Sequence, residues 1–273
     1  MIPNTLTIAG VDPSGGAGIL ADIKTMSALG AYGTAVVAAL TAQNTQAVTA
    51  ISPIPPEFVA AQIDTLFADV RIDAVKIGML GQKLVTRAVA ERLAYWKPAH
   101  LVLDPVMVAK SGDHLLEASA IEELRENLLP LATMLTPNLP EAGVLLGSSA
   151  VDSIREMRRV AEKLRRLLAD QGERWVFLKG GHLPGNDTID ILHDGDRMIE
   201  LPGRRIDTPN THGTGCTLSA ALAALLPQVN DVPEAATRAK AYLVAAITHS
   251  GELSVGKGHG PVQHFHAWWP SRS

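Results

Sequence analysis

The chain is poor in cysteine, in long apolar runs and in excess charge of one sign. Cys216 is the only cysteine among 273 residues, which excludes an internal disulfide and a metal cluster held by several thiolates of one chain. The net charge of −4 argues against nucleic acid or an anionic membrane as partner. The longest apolar run, residues 218–226, is too short to cross a bilayer and stops at Pro227. We therefore expect a cytoplasmic protein in a reducing environment.

Two nucleotide-binding motifs are present only in part. Residues 16–21 (GAGILA) fit the dinucleotide pattern, but no Asp or Glu lies between Asp22 and Glu57 to hold a ribose. Residues 251–257 (GELSVGK) begin a phosphate-binding loop, but Gly258 stands where Ser or Thr is required. Both the dinucleotide-binding and the P-loop interpretations are therefore weak.

What the chain does have is a large apolar fraction, 47%, arranged in alternating strand and helix patterns. Such alternation indicates parallel strands joined by right-handed crossovers. We predict an α/β fold, one three-layer sandwich over residues 1–273 with a mainly parallel central sheet. The predicted strands are 6–11, 34–42, 74–77, 101–103, 134–135 and 175–178, with a possible edge piece at 48–53 and a hairpin over 189–201. The predicted helices are 17–29, 57–68, 84–95, 118–129, a short one after Pro140, 154–169, one from Gly215 and 233–249.

Polar residues stand where predicted strands end, namely Asp12, Asn44, Asp104 and Lys179. In open α/β sheets, ligands bind outside the carboxyl ends of the strands. This placement is the first indication of a binding site.

The most informative segment is residues 210–219 (NTHGTGCTLS), where two glycines bracket Thr214 before an apolar helix. Free backbone N–H groups from Gly213 to Gly215 would face an anion there, which suits a transferring phosphoryl group. Cys216 lies at the same helix start, where the helix dipole and bound cations favour a thiolate that acts as a base. The alternative is a helix N-terminus with a structural thiol.

Three further residues suit a metal–phosphate site. Asn138 and Glu141 follow a strand and could hold a hydrated Mg²⁺, although the same spacing is also that of a plain capping box. Asp104 precedes Pro105 at the end of another strand and is a second candidate ligand, or a turn residue. Lys179 could neutralise a triphosphate, or could be a surface lysine.

The remaining candidates concern an aromatic ligand. The small-residue loop 12–18 allows close approach of the backbone. Gln43 and Asn44 end a strand, where an amide can bond a ring nitrogen and an exocyclic amine together. Met79 could cover a ring, or simply fill the core.

Taken together, these segments resemble the hydroxymethylpyrimidine/phosphomethylpyrimidine kinases of the ribokinase-like superfamily. The resemblance rests on GVDPSGGAGI (10–19), AQNT (42–45), KIGML (76–80), DPVM (104–107), KSG (110–112), TPNLPEA (136–142), KGGH (179–182), NTHGTGCTLS (210–219), GHGP (258–261) and FHAWW (265–269). They run through nearly the whole chain.

The resemblance implies Mg-ATP-dependent phosphorylation of 4-amino-5-hydroxymethyl-2-methylpyrimidine and then of its monophosphate, in thiamine synthesis, by a homodimer. It implies Cys216 as the catalytic base, Gly213, Thr214 and Gly215 as the anion hole, and Lys179 at the ATP phosphates. Asp104 and Glu141 would serve the metal. The pyrimidine pocket would be formed by Gly10, Asp22, Gln43, Met79 and Val106, and the ATP site would include Thr208 and Thr211.

Three alternatives remain open at this point. Pyridoxal kinase is the nearest, since pyridoxal also carries a ring hydroxymethyl group. A nicotinamide-dependent oxidoreductase and a non-catalytic nucleotide or pyrimidine sensor are the others. The missing ribose carboxylate argues against the second, and the intact Asp104, Glu141, Lys179 and Cys216 argue against the third.

Overall fold

The strands of the computed structural model form one sheet. The structure describes residues 1–107, 118–148, 151–229 and 231–269, so the KSG segment at 110–112 lies outside it. Within these ranges the strands are β1 (Asn4–Val11), β2 (Tyr32–Gln43), β3 (Val48–Pro53), β4 (Ala74–Ile77), β5 (His100–Leu103), β6 (Met134–Leu135), β7 (Trp175–Leu178), β8 (Asp187–His193) and β9 (Met198–Arg204). Their order is β3-β2-β1-β4-β5-β6-β7-β8-β9. The six strands β1, β2 and β4 to β7 are parallel, and β3, β8 and β9 pair antiparallel at the two edges.

The helices of the described residues are α1 (Gly18–Ala28), α2 (Pro56–Asp69), α3 (Lys83–Trp96), α4 (Ala118–Glu123), α5 (Leu139–Leu146), α6 (Ile154–Arg165), α7 (Thr214–Leu225) and α8 (Val232–Thr248). The prediction of one helix over 118–129 was wrong in part. After α4 the backbone widens into a π-helical turn, Leu124–Leu128, and then tightens into a 3₁₀ turn, Leu129–Leu131. Pro130 lies in that last turn, where its ring and missing N–H prevent an α-helix from continuing.

Two apolar layers enclose the sheet, which confirms the predicted three-layer arrangement. One core contains side chains of α2, α3 and α6, such as Ile63, Val89 and Leu164. The other contains α1, α7 and α8, with Met26 and Leu222 among its buried residues. Alternate residues of each strand reach opposite layers because side chains alternate across a strand. No helix in the described part of the chain combines the length and apolarity that a membrane crossing requires.

Helix α7 is the buried helix that the long apolar run predicts. Every residue from Thr217 to Leu225 is buried, and the helix packs against α1 and α8. Its N-terminus points at the edge where β1, β4, β5 and β7 end. The fold therefore brings the glycine-framed helix start at residues 213–216 to the carboxyl ends of the central strands.

Candidate active site

A cavity of about 500 Å³ opens at this edge of the sheet. It brings together predicted site residues from seven separate segments of the sequence. Twelve of the predicted site residues line it, namely Gly10, Gln43, Met79, Asp104, Val106, Glu141, Lys179, Thr211, Gly213, Thr214, Gly215 and Cys216. Two predicted residues, Asp22 and Thr208, do not appear in its lining.

The start of α7 is fixed by a glycine that no other residue can replace without strain. Gly213 precedes the helix with φ +77°, a left-handed conformation that L side chains rarely adopt. A Cβ there would also collide with the carbonyl oxygen of Gly16. Only glycine therefore lets the loop after β1 and the start of α7 approach this closely, with the N-terminal end of α7 facing the cavity.

Lys179 links two carboxylates directly above this helix start. Its Nζ lies 2.9 Å from Asp104 Oδ1 and 3.8 Å from Glu141 Oε2. A Cβ on Gly215 would lie 3.4 Å from the Lys179 Nζ and 3.5 Å from Asp104 Oδ2. Burial opposes the charge of Lys179, but the two carboxylates outweigh it and raise the pKa of the ammonium. Lys179 is thus a cation at the helix N-terminus rather than a surface lysine.

The capping-box interpretation of Asn138 and Glu141 is confirmed, and the metal-binding interpretation stays a prediction. The Asn138 Oδ1 accepts the Glu141 N–H at 2.8 Å and Glu141 Oε2 accepts the Asn138 N–H at 2.7 Å, which is a complete capping box for α5. Glu141 nevertheless lines the cavity. Burial, with the charge of Asp104 adding to it and that of Lys179 opposing it, raises the pKa of Glu141 to about 7.

Asp104 and Glu141 suit a metal that keeps much of its own water. Among the described residues no group of three or more His, Cys, Asp or Glu side chains could hold a metal ion alone. Mg²⁺ binds through one or two carboxylates together with water and phosphate oxygens, so a full protein cage is not needed. Asp104 is held for such a role by hydrogen bonds from Thr136 and Ser219, both at 3.2 Å. The donor set fits Mg²⁺.

The electrostatic surroundings of Cys216 differ from the prediction. Burial raises the pKa of the Cys216 thiol to about 11, with the charge of Lys76 lowering it and those of Asp22 and Asp104 raising it further. The sequence analysis expected a stabilised thiolate from the helix dipole and bound cations. In the field of the protein alone the thiol is protonated at neutral pH, because desolvation outweighs the nearby ammonium.

Asp22 does not line the pyrimidine pocket as predicted. Its side chain has no exposed surface and its Oδ2 lies 2.7 Å from Lys76 Nζ, while the Thr7 hydroxyl donates to the same oxygen at 2.6 Å. Lys76 is the residue of this group that lines the cavity. Lys76 was not predicted as a site residue because it lies inside an apolar strand. A charged residue in such a strand is the one signal in the sequence that could have pointed to it.

Gln43, Met79 and Gly10 also line the cavity. A Cβ on Gly10 would lie 2.6 Å from Met79 Cε, so glycine is what makes room for the thioether. The Thr41 hydroxyl lies 3.2 Å from Gln43 Oε1 and 2.8 Å from the Val11 carbonyl oxygen, which can take its one proton, so the Gln43 amide retains hydrogen-bonding groups for a ligand. Asn44 does not share this role, since its Oδ1 accepts the N–H groups of Gln46 and Ala47 and caps the turn before β3.

A buried pair also joins the two loops of the site. His212 Nε2 lies 2.7 Å from Asp12 Oδ2, although the residues are 200 positions apart. The same carboxylate accepts the Ala17 N–H at 3.0 Å. Sequence reasoning placed Asp12 at a strand end but missed its partner. Thr208 lies outside the cavity and accepts the Asn210 N–H at 3.2 Å, so it shapes the loop before His212.

The mainly parallel sheet with a glycine-framed helix start, a lysine and two carboxylates at its carboxyl edge defines a small-molecule kinase of the ribokinase-like fold. A Bacillus subtilis pyridoxal kinase, solved as an ADP complex, superposes with a TM-score of 0.88 and 35% identity over 98% of this chain and 99% of that one. The likeness confirms the predicted fold class.

The chain belongs to the phosphomethylpyrimidine kinase family, which matches residues 12–263. A hydroxymethylpyrimidine/phosphomethylpyrimidine kinase of Salmonella typhimurium is 54% identical over 97% of this chain and 98% of its own length. A thiamine biosynthesis bifunctional protein of Geobacter sulfurreducens is 48% identical over 96% of this chain, which spans 52% of that longer protein. The family resemblance seen in the sequence is thus confirmed.

Proposed function

We propose that this kinase transfers the γ-phosphoryl group of ATP to the hydroxymethyl group of 4-amino-5-hydroxymethyl-2-methylpyrimidine, and then to the resulting monophosphate. The observation that carries the proposal is one cavity that Gln43 and Met79 line together with Lys179 and Cys216. The first two side chains suit an aminopyrimidine ring, and the other two suit the transfer of a phosphoryl group to its hydroxymethyl substituent.

Gln43 and Met79 support the choice of substrate. A carboxamide can accept a hydrogen bond from an exocyclic amine and donate one to the adjacent ring nitrogen, and Gln43 is the amide that lines the cavity. The Met79 thioether is soft and polarisable, which favours contact with an aromatic face. Gly10 and Val106 would complete the walls of this pocket.

Lys179, the start of α7 and the two carboxylates support the reaction. In-line transfer needs orientation and charge neutralisation rather than covalent chemistry from the protein. Lys179 and the backbone N–H groups of Gly213, Thr214 and Gly215 would stabilise the phosphoryl oxygens, with Thr211 beside them. Asp104 and Glu141 would hold a Mg²⁺ ion, which supplies charge neutralisation at the phosphates when bound.

Cys216 is proposed as the proton acceptor. The acceptor hydroxyl would lose its proton to the thiolate as its oxygen bonds to phosphorus and the bond to the leaving ADP oxygen breaks. With a thiol pKa of about 11, only a small fraction, on the order of 10⁻⁴ at pH 7, is anionic in the protein's own field. Additional positive charge at this site would increase that fraction.

Pyridoxal is the second candidate substrate. It offers a ring hydroxymethyl group to the same machinery, and the superposed Bacillus subtilis enzyme is a pyridoxal kinase at 35% identity. We propose it as a side activity, because pyridoxal lacks the aminopyrimidine edge that Gln43 would bond.

The test is a comparison of kcat/KM for the two substrates with Mg-ATP. We expect the pyrimidine to be preferred, and the preference to shrink in Gln43→Ala because only the pyrimidine loses a contact there. A preference for pyridoxal in the wild-type protein would overturn the choice of substrate while leaving the kinase assignment intact.

A further inference from the structure

Lys76 is a fully buried ammonium inside an otherwise apolar strand. Its neighbours Val75 and Ile77 are buried and belong to the core packed against α2 and α3. Lys76 points the other way and pairs with Asp22 of α1 at 2.7 Å, with no exposed surface on either side chain. Because buried ion pairs often stabilise no better than apolar residues of the same volume, stability alone does not explain this one.

One carboxylate oxygen of the pair has no hydrogen-bond partner, and the lysine belongs to the lining of the cavity. Asp22 Oδ2 accepts both Lys76 and the Thr7 hydroxyl, whereas the buried Asp22 Oδ1 has no partner. Lys76 Nζ carries three protons and lines the cavity. A Cβ on Gly78 would lie 2.7 Å from this nitrogen, so a larger residue there would crowd the ammonium.

Lys76 and Cys216 line the same cavity and act on each other electrostatically. The ammonium lowers the pKa of the thiol, and the negative charge of the thiolate contributes to raising the pKa of the ammonium, although burial opposes both charges. The other charged groups near the sulfur are Asp22 on α1, Asp104 after β5 and Lys179 after β7. Helix α7, which carries Cys216 in its first turn, packs against both β4 and α1, the elements that carry Lys76 and Asp22.

We propose that Lys76, held in place by Asp22, is a positioning residue whose buried charge stabilises the anionic sulfur of Cys216. Asp22 keeps the ammonium protonated and fixes its nitrogen, and Lys76 then determines how readily Cys216 exchanges a proton with the acceptor hydroxyl. The inference rests on the proposed function in one respect, namely that Cys216 is the proton acceptor. The alternative is a pair that only joins β4 to α1.

The chain offers a direct test because Cys216 is its only thiol. The second-order rate of alkylation by iodoacetamide is measured from pH 7 to 11 for the wild type, Lys76→Met and the double variant Lys76→Met with Asp22→Asn. The double variant removes both charges and leaves no unpaired carboxylate. Lys163→Met is the matched control, since Lys163 is exposed on α6.

We expect Lys76→Met to react at least about tenfold more slowly than the wild type at pH 8, because the thiolate fraction falls tenfold for each rise of one in the thiol pKa. The alkylation rate of the double variant should also fall, but by a smaller factor. Asp22 raises the pKa of the thiol and Lys76 lowers it by more, so removing both charges partly cancels. Lys163→Met should match the wild type. Acrylamide, as a second reagent, should give the same rate ratio to the wild type as iodoacetamide, because a change in the thiolate fraction does not depend on the reagent, whereas altered access does.

A folded Lys76→Met variant that reacts as fast as the wild type, or that is slowed by only one of the two reagents, would overturn the proposal. So would loss of folding in both variants, which would assign the pair to stability. In the steady-state assay, kcat should fall in Lys76→Met while the KM for ATP stays within about twofold, since the ATP contacts are retained. Alkylation needs no turnover and is therefore independent of the activity assay. A wild-type protein that is inactive on the pyrimidine would contradict the proposed function, and the alkylation rates would still decide whether Lys76 stabilises the thiolate.

Discussion

At the scale of single residues, the account depends first on Cys216. Replacement by alanine should lower kcat for the pyrimidine by about 10²- to 10⁴-fold, the usual contribution of a general base. The KM for ATP should change little, because Lys179 and the start of α7 are untouched. Steady-state kinetics with a folded variant checks this. Near-wild-type turnover would remove the base assignment and leave Cys216 as the structural thiol.

Gln43 decides the recognition of the ring. In Gln43→Ala we expect the KM for the pyrimidine to rise about tenfold, the cost of about one neutral hydrogen bond, with kcat less affected. Gln46→Ala is the control, since Gln46 is exposed in the turn after β2. Initial rates at saturating ATP measure both variants. Equal pyrimidine KM values in the two variants would contradict the role given to Gln43.

The raised pKa of Glu141 predicts how the activity depends on pH and on the magnesium concentration. Its pKa is raised to about 7, so protonation removes the negative charge as the pH falls through that value. We expect kcat/KM to decline on the acidic side with a midpoint near 7, and the midpoint to move to lower pH as Mg²⁺ increases, because the ion competes with the proton. Rate profiles from pH 5.5 to 8.5 at two Mg²⁺ concentrations measure this.

Glu141→Gln separates the charge of this side chain from its structural role. Glutamine can keep the capping box of α5, so the variant should fold. It should lose the magnesium-dependent shift and have lower activity throughout. A wild-type midpoint that is independent of Mg²⁺ would show that Glu141 does not meet the ion.

At the scale of elements, replacing Gly213 by alanine tests whether the start of α7 requires glycine. In Gly213→Ala we expect the free energy of unfolding to fall by about 2 kcal/mol or more. The cost of a left-handed backbone at alanine and the cost of the collision with the Gly16 carbonyl oxygen add to each other. Gly251→Ala is the control, since its φ is ordinary and nothing lies within 4 Å of the added Cβ. Urea denaturation measures both. Equal stability of the two variants would contradict the account.

Most elements could be predicted from the sequence because their signals are local. β4 is apolar apart from Lys76 and is followed by Gly78, and β7 is an apolar run followed by Lys179. Their observed bounds match the prediction, 74–77 and 175–178. The segment after Ala118 could not be predicted in the same way. Its apolar spacing continues through residue 129, and whether a backbone widens into a π turn depends on packing against α3 as well as on Pro130.

At the scale of the whole molecule, the parts of the site that the sequence did not predict are long-range pairs. Asp22 meets Lys76 across 54 positions and Asp12 meets His212 across 200. Neither pair has a local signature, since each partner is defined only when β1, α1, β4 and α7 are assembled. The family resemblance covers the segments but does not say which side chains join them.

The account as a whole rests on the order of products. Purified protein is mixed with Mg-ATP and 4-amino-5-hydroxymethyl-2-methylpyrimidine, with pyridoxal in a parallel reaction, and products are followed by mass over time. The account predicts the pyrimidine monophosphate first and the diphosphate after it, each matched by ADP formed. Phosphorylation of pyridoxal alone, or no transfer to the pyrimidine at all, would contradict it.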